Sequence, residues 1–355
     1  MEACAISPDG SIYTAGGNPR YLAKRTSEGE LLWLIPQPDF VTYSMCIAYD
    51  EQVVLCGVYD DYCGLRKIDE QGNTIWTNNY SYLNNYTTVG FSVYNSQDEG
   101  FVITGREYDN DRFNRNVLLI KTNEVGDSLY CRVYDTGSDQ DSGNSVIEAT
   151  NGDIIVLGDS TLHTLIVKYE PLTDTLTPFI IWEYAKGYSV LEDDDCNYVG
   201  YSYGGLLGGT ILFKFNSNGE IIWENRFSFW PAQGDRCFQK LPSGGFICGG
   251  STHWNDDYFY LAKTDSVGEI TGIEDNILVD KLKILVYPNP VQEIINFEFQ
   301  DRNDLSNIQI EIYNIKGQLI DKIISKSGHS TVSWEAGYLP SGIYLYKIKQ
   351  NKDVI

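Results

Sequence analysis

The 355-residue sequence has only two methionines and three histidines, and it lacks any run of about 18 apolar residues. The absence of such a run predicts that the chain has no transmembrane helix. None of the eight cysteines forms a CxxC pair, and the histidines lie far apart, so no zinc-binding spacing is present. No HExxH pair, phosphate-binding loop or nucleophile–base pair is found. The sequence therefore predicts no cofactor and no catalytic residue, and we expect a protein that is not an enzyme.

Basic residues are also scarce, because 26 Lys and Arg stand against 49 Asp and Glu, a formal net charge of −23. The imbalance is confined to residues 1–280, which hold 17 basic and 41 acidic groups, whereas residues 281–355 hold 9 and 8. A surface this acidic repels phosphate backbones, which argues against a nucleic-acid partner. The difference in charge between the two regions predicts two domains.

Aromatic residues and glycine are abundant, with 26 Tyr, 14 Phe, 7 Trp and 33 Gly. Aromatic and β-branched side chains suit pleated, half-buried surfaces, and glycine supplies tight turns. No segment shows a helical period of useful length. The composition therefore predicts an all-β protein.

Two short patterns recur along residues 1–272 with the same period. The first begins with Lys at positions 24, 67, 121, 168, 214 and 263, as in KIDEQGNTIW (67–76) and KFNSNGEIIW (214–223). The second resembles DEQVVLCG (50–57) and NGDIIVLG (151–158). Six copies of one unit near 48 residues predict a β-propeller or a solenoid. Consecutive apolar residues such as those of IIVL are covered on both faces, as the inner strands of a propeller blade are.

The Lys pattern is interpreted as scaffold. Asp69 and Gly72 have the spacing of a type I turn, which joins the Lys strand to the next strand as a hairpin. Trp33, Trp76 and Trp223 fall on that next strand, and Trp182 is expected at the equivalent position of the fourth repeat, where they pack between blades. A single active site does not need six copies of its residues. Over residues 3–272 the unit resembles bacterial β-propeller repeats of secreted proteins.

The repeats end near residue 272, and residues 284–355 show a different pattern. They carry Tyr287-Pro288-Asn289-Pro290, the hairpin IYNIKGQLI around Gly317, and LPSGIYLYKI with Leu339, Gly342 and Tyr344. Alternation in INFEF and IQIEIYNI predicts half-buried strands of a small Ig-like β-sandwich. We therefore expect a propeller of six units, or more in the native protein, at residues 1–272. A linker at 273–283 and the sandwich at 284–355 follow.

These three ordered motifs resemble the type A C-terminal sorting domain of the type IX secretion system of Bacteroidetes. The resemblance implies a type IX secretion partner and a secreted or outer-surface location. It also implies a signal peptide upstream of Met1, because none begins this sequence, and a short final strand beyond Ile355.

Loops joining the second to the third strand, and the fourth strand to the next blade, are rich in aromatic and acidic residues. Such loops share one face of a propeller. Aromatic rings can stack on sugars, and Asp can form hydrogen bonds with their hydroxyls. The carboxylates alone can hold Ca²⁺. The simpler interpretation is that these exposed loops are only polar. The candidate ligand residues are Tyr59, Asp61, Tyr108, Asp109, Asp111, Trp230, Trp254, Asp256 and Asp257.

The preferred function is an exported module that binds an extracellular glycan or protein. The alternatives are a carbohydrate-active enzyme that uses loop carboxylates and a purely structural surface protein. Two cysteine pairs, Cys46/Cys56 and Cys237/Cys248, sit on either side of predicted hairpin turns and are expected to face each other or to be buried free thiols.

Overall fold

The computed structural model describes residues 3–82, 86–109, 114–161, 163–183, 185–204, 209–227, 237–252, 258–270, 283–288, 293–300, 308–316, 318–324, 331–337, 339–340, 342–350 and 353–354. These residues form strands, turns and connecting segments, so the predicted all-β class is confirmed. They include no helix that is long and apolar enough to cross a membrane. The chain divides into two compact units, Met1–Thr271 and Gly272–Ile355.

The described part of the first unit consists of six consecutive antiparallel sheets, which we call blades, each built from strands adjacent in the chain. Blades 1 and 2 comprise β1 (Ala3–Ile6), β2 (Ile12–Gly16), β3 (Tyr21–Arg25), β4 (Leu31–Pro36), β5 (Phe40–Ile47), β6 (Val53–Tyr59), β7 (Tyr62–Ile68) and β8 (Thr74–Tyr80). Blades 3 and 4 comprise β9 (Tyr86–Asn95), β10 (Phe101–Asp109), β11 (Arg115–Thr122), β12 (Ser128–Tyr134), β13 (Asp141–Glu148), β14 (Ile154–Ser160), β15 (His163–Glu170) and β16 (Thr175–Glu183). Blades 5 and 6 comprise β17 (Ala185–Glu192), β18 (Tyr198–Gly204), β19 (Thr210–Phe215), β20 (Ile221–Phe227), β21 (Cys237–Lys240), β22 (Phe246–Thr252) and β23 (Tyr258–Lys263).

Burial follows the position of a strand in its blade. Every residue of β19 is buried, whereas β20, the fourth strand of the same blade, has only exposed and half-buried residues. Large apolar clusters fill the spaces between consecutive blades; one of them joins β6, β7, β10 and β11 through side chains such as Leu65 and Ile103. The consecutive apolar runs are therefore covered on both faces, as predicted.

The first strand of blades 2 to 5 carries a β-bulge at the same position. The extra residues, which shift the register by one, are Tyr43, Phe91, Asn144 and Tyr188. At each bulge in blades 2 to 4 a carbonyl of the first strand comes close to the second strand. A Cβ built on Gly57, Gly105 or Gly158 would lie 1.7, 1.8 or 1.8 Å from the carbonyl oxygen of Val41, Val89 or Ser142. The repeated glycine is therefore required by this close approach.

In blades 2 to 4, the serine after the bulge joins its blade to the next. Its hydroxyl accepts a hydrogen bond from a backbone N–H of the following first strand. The bonds are Val93 N to Ser44 Oγ (3.4 Å), Val146 N to Ser92 Oγ (3.3 Å) and Val190 N to Ser145 Oγ (3.1 Å). The first strands of blades 2 to 5 consequently lie side by side.

An ion pair inside each of blades 2 to 5 joins the two sequence patterns. The Lys belongs to the third strand, and its Asp partner lies in the turn between the first and second strands. The pairs are Lys67–Asp50 (2.7 Å), Lys121–Asp98, Lys168–Asp153 (3.4 Å) and Lys214–Asp193 (2.6 Å). The Lys is thus a structural residue, as its repetition predicts.

The outer strand of one blade holds the turn between the third and fourth strands of the next, a contact we call the turn clasp. In blade 2, Asn78 Nδ2 and Tyr80 OH donate hydrogen bonds to the carbonyl oxygen of Gly126, at 2.9 and 2.7 Å. The Trp76 ring covers the same glycine, since a Cβ there would lie 2.8 Å from Trp76 Cζ3. Equivalent contacts are Trp33 Nε1 to Glu70 O (3.1 Å), Asn225 Nδ2 to Val267 O (2.7 Å) and the Trp223 ring over Gly268.

The expected position of Trp182 is wrong. Trp33, Trp76 and Trp223 each pair with the Lys of their blade, but in blade 4 the residue paired with Lys168 is Thr177. In blade 4, as in blades 1, 2 and 5, the paired residue follows the Lys by nine positions. Trp182 therefore lies five residues farther along the strand. Phe179 takes over the clasp there, because a Cβ on Gly219 would lie 2.4 Å from its Cδ1 atom.

Of the two alternatives for the cysteine pairs, directly facing positions do not occur. Cys46 lies opposite Val54 and Cys56 opposite Ser44, so these two are diagonal neighbours. Cys237 lies opposite Gly249 and Cys248 opposite Phe238. Cys46, Cys56 and Cys248 are free thiols, and burial raises the pKa of Cys46. They act as small apolar side chains.

The second unit is a β-sandwich, as predicted. One sheet contains β24 (Lys283–Tyr287), β25 (Ile294–Gln300) and β28 (Thr331–Glu335). The other contains β26 (Ile308–Asn314), β27 (Leu319–Ile324), β29 (Tyr344–Gln350) and β30 (Asp353–Val354). The core between them is formed by Phe297, Phe299, Ile308, Ile310, Ile312, Val332, Trp334 and Ile348. A hydrogen bond of 2.9 Å from Trp334 Nε1 to Asp321 Oδ2 ties one sheet to the other.

Candidate ligand face

The connections of the blades lie on two faces of the first unit. Turns between the first and second strands, and between the third and fourth, lie on what we call the turn face. Connections between the second and third strands, and from the fourth strand to the next blade, lie on the loop face. This division follows from the antiparallel order of the strands in each blade. The candidate ligand residues belong to the loop face.

The turn face carries an open cleft of about 490 Å³, lined by Cys46, Tyr49, Val93, Tyr94, Asn95, Gln97, Glu148, Thr150 and Glu192. Its polar groups join neighbouring blades. Glu192 accepts hydrogen bonds from the backbone N–H and the hydroxyl of Thr150, at 2.8 and 2.7 Å. Glu148 accepts one from Ser96, and Asn95 Nδ2 donates to the carbonyl of Ile47 at 2.6 Å. These side chains hold the scaffold together.

Asp193 is the most densely paired carboxylate on this face. It lies 2.6 Å from Lys214 Nζ in its own blade and 2.7 Å from Lys240 Nζ in the next. Burial alone would raise its pKa, but the hydrogen bonds from the two lysines lower the pKa to about 2. Ionised Asp193 therefore links blades 5 and 6.

Replacing Asp193 by Asn should lower the free energy of unfolding at neutral pH by about 1–3 kcal/mol, because Lys214 and Lys240 each lose their least exposed charge partner and keep only the exposed Asp195 and Asp194. The folded-state pKa of Asp193 lies below the ordinary value, so its stabilisation is full above about pH 4 and is lost as the pH falls towards 2. Urea unfolding at pH 7, 4 and 2.5 should show that the difference in free energy of unfolding between wild type and variant shrinks as the pH falls. Asp194→Asn, at an exposed partner of Lys240, is the control. A difference as large at pH 2.5 as at pH 7 would contradict this role.

On the loop face of blades 1 and 2, Tyr59 belongs to a packed cluster around Arg66. The Arg66 guanidinium lies 4.9 Å from the Phe40 ring centre and 5.4 Å from that of Tyr59. It also binds both carboxylate oxygens of Asp39, at 3.0 and 2.8 Å, and Gln37 Oε1 at 2.7 Å. The Tyr59 ring is thereby engaged in packing.

Asp61 lies at the tip of the β6–β7 hairpin. Tyr59 pairs with Tyr62, so Asp60 and Asp61 alone form the turn, with φ of 52° and 64°. This is the backbone of a type I′ turn, which Asp tolerates. The side chain is exposed. The loop-face connection within blade 2 is therefore a two-residue turn.

Tyr108 belongs to an arginine–aromatic cluster, formed by Tyr43, Phe91, Arg106, Tyr108 and Arg115. Tyr108 pairs with Arg115 across β10 and β11, and the Arg115 guanidinium lies 6.0 Å from the Tyr108 ring centre. The Arg106 guanidinium lies 5.2 Å from the Phe91 ring centre. Tyr43 meets Phe91 edge-on at 5.4 Å. All five side chains are half-buried.

Buried Asp141 and half-buried Asp159 lie on the same face in blade 4. Asp159 accepts a hydrogen bond of 2.7 Å from Asn144 Nδ2 and forms an ion pair with Lys186 at 3.8 Å, and Arg106 also acts on its charge. Asp141 accepts bonds of 2.8 and 3.0 Å from the backbone N–H and hydroxyl of Thr136, which fix the β12–β13 connection. Burial raises the pKa of both carboxyl groups.

Most of the other candidate ligand residues lie outside the described part of the chain, namely Asp111, Trp230, Trp254, Asp256 and Asp257. Asp109 ends β10, and its side chain also lies outside that part. Among the described residues, no group of three or more His, Cys, Asp or Glu is placed to hold a metal ion. The Ca²⁺ hypothesis, which rests on Asp256 and Asp257, stays a prediction.

The sorting motif is described in part. Tyr287 is half exposed, and its hydroxyl donates to Glu298 at 2.8 Å; it precedes Pro288 through a cis peptide bond. Leu339 and Tyr344 pack against the sandwich core, and Gly342 lies in the connection between them. Asn289, Pro290 and Gly317 lie outside the described residues.

Sequence reasoning missed the bulge and the cluster built on it. A signal was present, since the tripeptides TYS, GFS, GNS and GYS at 42–44, 90–92, 143–145 and 187–189 follow the repeat period. Their central residues are the bulged ones, and two of these, Tyr43 and Phe91, belong to the arginine–aromatic cluster.

Comparison with known proteins identifies the second unit and the fold of the first. Residues 285–355 match the model of the secretion system C-terminal sorting domain. No curated protein sequence matches the chain. Among solved structures, a protein from Lactobacillus plantarum is 13% identical, with a TM-score of 0.57 over 77% of this chain and 83% of that one.

Two further structures show the same fold. The Dos1 propeller is 11% identical, with a TM-score of 0.50 over 81% of this chain and 72% of that one. An extracellular domain from a one-component system of B. thetaiotaomicron is 12% identical, with a TM-score of 0.50 over 98% of this chain and 53% of that one. The first unit is a β-propeller, as predicted. The second is a type IX sorting domain, so the protein is secreted or held at the outer cell surface.

Proposed function

We propose that this protein is an exported binding module whose propeller holds an extracellular glycan on its loop face. The observation that carries the proposal is the arginine–aromatic cluster, in which rings and cations of blades 2 and 3 stay half exposed. On the turn face, by contrast, the polar side chains of the cleft are used to join blades.

The chemistry of the cluster fits a saccharide. Aromatic faces pack against the apolar face of a sugar ring, and a few directed polar groups fix its orientation. Tyr43 and Tyr108 supply rings, and Lys186 of blade 5 supplies an exposed donor. Residues Tyr59, Asp61, Asp109, Asp111, Trp230, Trp254, Asp256 and Asp257 are proposed to extend this face.

The division of labour along the chain is part of the proposal. Residues 1–272 bind, residues 273–283 link, and residues 284–355 direct export through the type IX machinery. The match of residues 285–355 to the sorting domain supports the last assignment.

Tyr43→Ala should weaken glycan binding by about 1–3 kcal/mol, by analogy with stacking of bases on aromatic side chains. A glycan array screened with the full chain identifies the ligand, and isothermal titration measures the change in affinity. Tyr49→Ala is the matched control, because Tyr49 is an exposed tyrosine on the turn face. Equal affinities of Tyr43→Ala and wild type would contradict the placement of the site.

The same assays separate the other two functions. Turnover of the bound glycan that Asp159→Asn abolishes would support a carbohydrate-active enzyme, since burial raises the pKa of that carboxyl group. Absence of both binding and turnover across the array would leave a purely structural surface protein.

A further inference from the structure

Arg106 and Arg115 lie on one face of the β10–β11 hairpin. Arg106 is opposite Val117 and Arg115 is opposite Tyr108, two positions along the ladder, so the four side chains point to the same side of the sheet. Diagonal neighbours of this kind are about 7–8 Å apart, within reach of long side chains. The hairpin therefore holds two guanidinium groups together.

Neither guanidinium is ion-paired among the described residues. There, Arg106 and Arg115 make no side-chain hydrogen bond and no ion pair; each lies over a ring, Phe91 or Tyr108. Arg66 and Arg132, which also lie over aromatic rings, bind Asp39 and Asp174. Burial, and then repulsion from Arg115, lower the pKa of Arg106, although Asp159 attracts its charge.

Such an arrangement is unusual in a chain with a net charge of −23, where carboxylates outnumber cations almost two to one. Two like charges held together repel each other, and an anion placed between them would relieve that repulsion. Asp159 attracts Arg106 without forming an ion pair with it, and its ion-pair partner is Lys186. Arg106 and Arg115 therefore keep their guanidinium donors available to an external anion.

We propose that Arg106 and Arg115 bind the acidic groups of a polysaccharide, while the adjoining rings of Tyr43 and Tyr108 contact its sugar units. This inference rests on the proposed function of the loop face and adds the class of ligand. A guanidinium presents paired N–H donors that match the two oxygens of a carboxylate or a sulfate, so one chemistry covers both kinds of acidic polysaccharide.

The test uses the full chain and three polymers: polygalacturonate, dextran sulfate and neutral dextran. We expect binding to at least one acidic polymer and weaker binding to neutral dextran, with affinity that falls as salt is raised. The double variant R106Q/R115Q should lose at least about tenfold in affinity, because hydrogen bonds to charged groups are strong. Arg25→Gln, which removes one positive charge at a side chain bonded to Gly29 O, is the control for the single variants R106Q and R115Q. Melting curves confirm that each variant is folded.

Each outcome has a defined meaning. Preference for polygalacturonate assigns a carboxylate ligand, and preference for dextran sulfate assigns a sulfate ligand. Binding of neutral dextran that R106Q/R115Q leaves unchanged would overturn this inference and leave the proposed glycan binding standing. Failure to bind any glycan, on these polymers and on the array, would overturn both. If R106Q/R115Q does not fold, Arg106→Lys keeps the charge but removes the paired donors, and unchanged affinity in that variant overturns the proposed recognition of paired oxygens.

Discussion

Replacing Gly105 by alanine is expected to lower the free energy of unfolding of the propeller by more than about 3 kcal/mol. The added Cβ would lie 1.8 Å from the carbonyl oxygen of Val89 and 2.9 Å from its carbonyl carbon. Both atoms belong to the bulged first strand of the same blade, so no flexible side chain can move aside. The strand must shift, and its hydrogen bonds to the second strand and to the next blade weaken together.

Urea unfolding followed by circular dichroism measures this effect, and two controls separate it from a general cost of alanine. Blade 5 has Ser202 at the equivalent position, opposite Gly187, so Ser202→Ala adds no atom and should cost about 1 kcal/mol or less. Gly152→Ala adds a Cβ in open space at a φ of +87° and should cost about 1–2 kcal/mol from backbone strain. A Gly105→Ala variant no less stable than these controls would show that the bulge can move.

When the chain is fused to a signal peptide, deletion of residues 285–355 should abolish export of the propeller, which would then accumulate in the periplasm of a type IX-competent host. These residues match the sorting domain and form a sandwich with its own core of aromatic and aliphatic side chains. Immunoblots of medium, cell surface and periplasm measure where the protein lies. Protease resistance of the periplasmic product shows whether the propeller is folded.

The reverse experiment controls for misfolding of the truncated chain. A reporter fused to a signal peptide and to the complete sorting domain should reach the surface or the medium. Trp334→Ala within the fusion removes a core side chain and the bond to Asp321, which should destabilise the sandwich by about 3–5 kcal/mol and reduce export. A deleted protein that still leaves the cell, or a fused reporter that stays in the periplasm, contradicts the assignment.

Much of the architecture could be predicted because the features that build it recur. The Lys–Asp pairs and the Asp–Gly turns each depend on a few residues at fixed spacing, and six repeats make the spacing visible. Trp182 shows the limit of this reasoning. The pairing of β15 with β16 is fixed by its turn, so Thr177 occupies the expected place, and the neighbouring Phe179 fills the contact.

The candidate site could be predicted only as a face. Antiparallel order alone places loop residues on one side, which is why Tyr108 falls in the arginine–aromatic cluster. The cluster also needs Tyr43 and Phe91, whose positions depend on a bulge, and Arg106, whose lack of a partner is a three-dimensional fact. The same rule places Tyr59 at the candidate site, yet its ring packs against the Arg66 guanidinium, which is paired with Asp39.

The turn clasp has a consequence for how such a protein changes during evolution. Asn78 of blade 2 holds Gly126 of blade 3, and Asn225 of blade 5 holds Val267 of blade 6, so each clasp involves only two adjacent repeats. A recombination event that duplicates or removes one whole repeat leaves a compatible outer strand beside a compatible turn at the new junction. Gene duplication can thus alter the number of blades without inventing a new interface, while substitutions in the loops change what the protein binds.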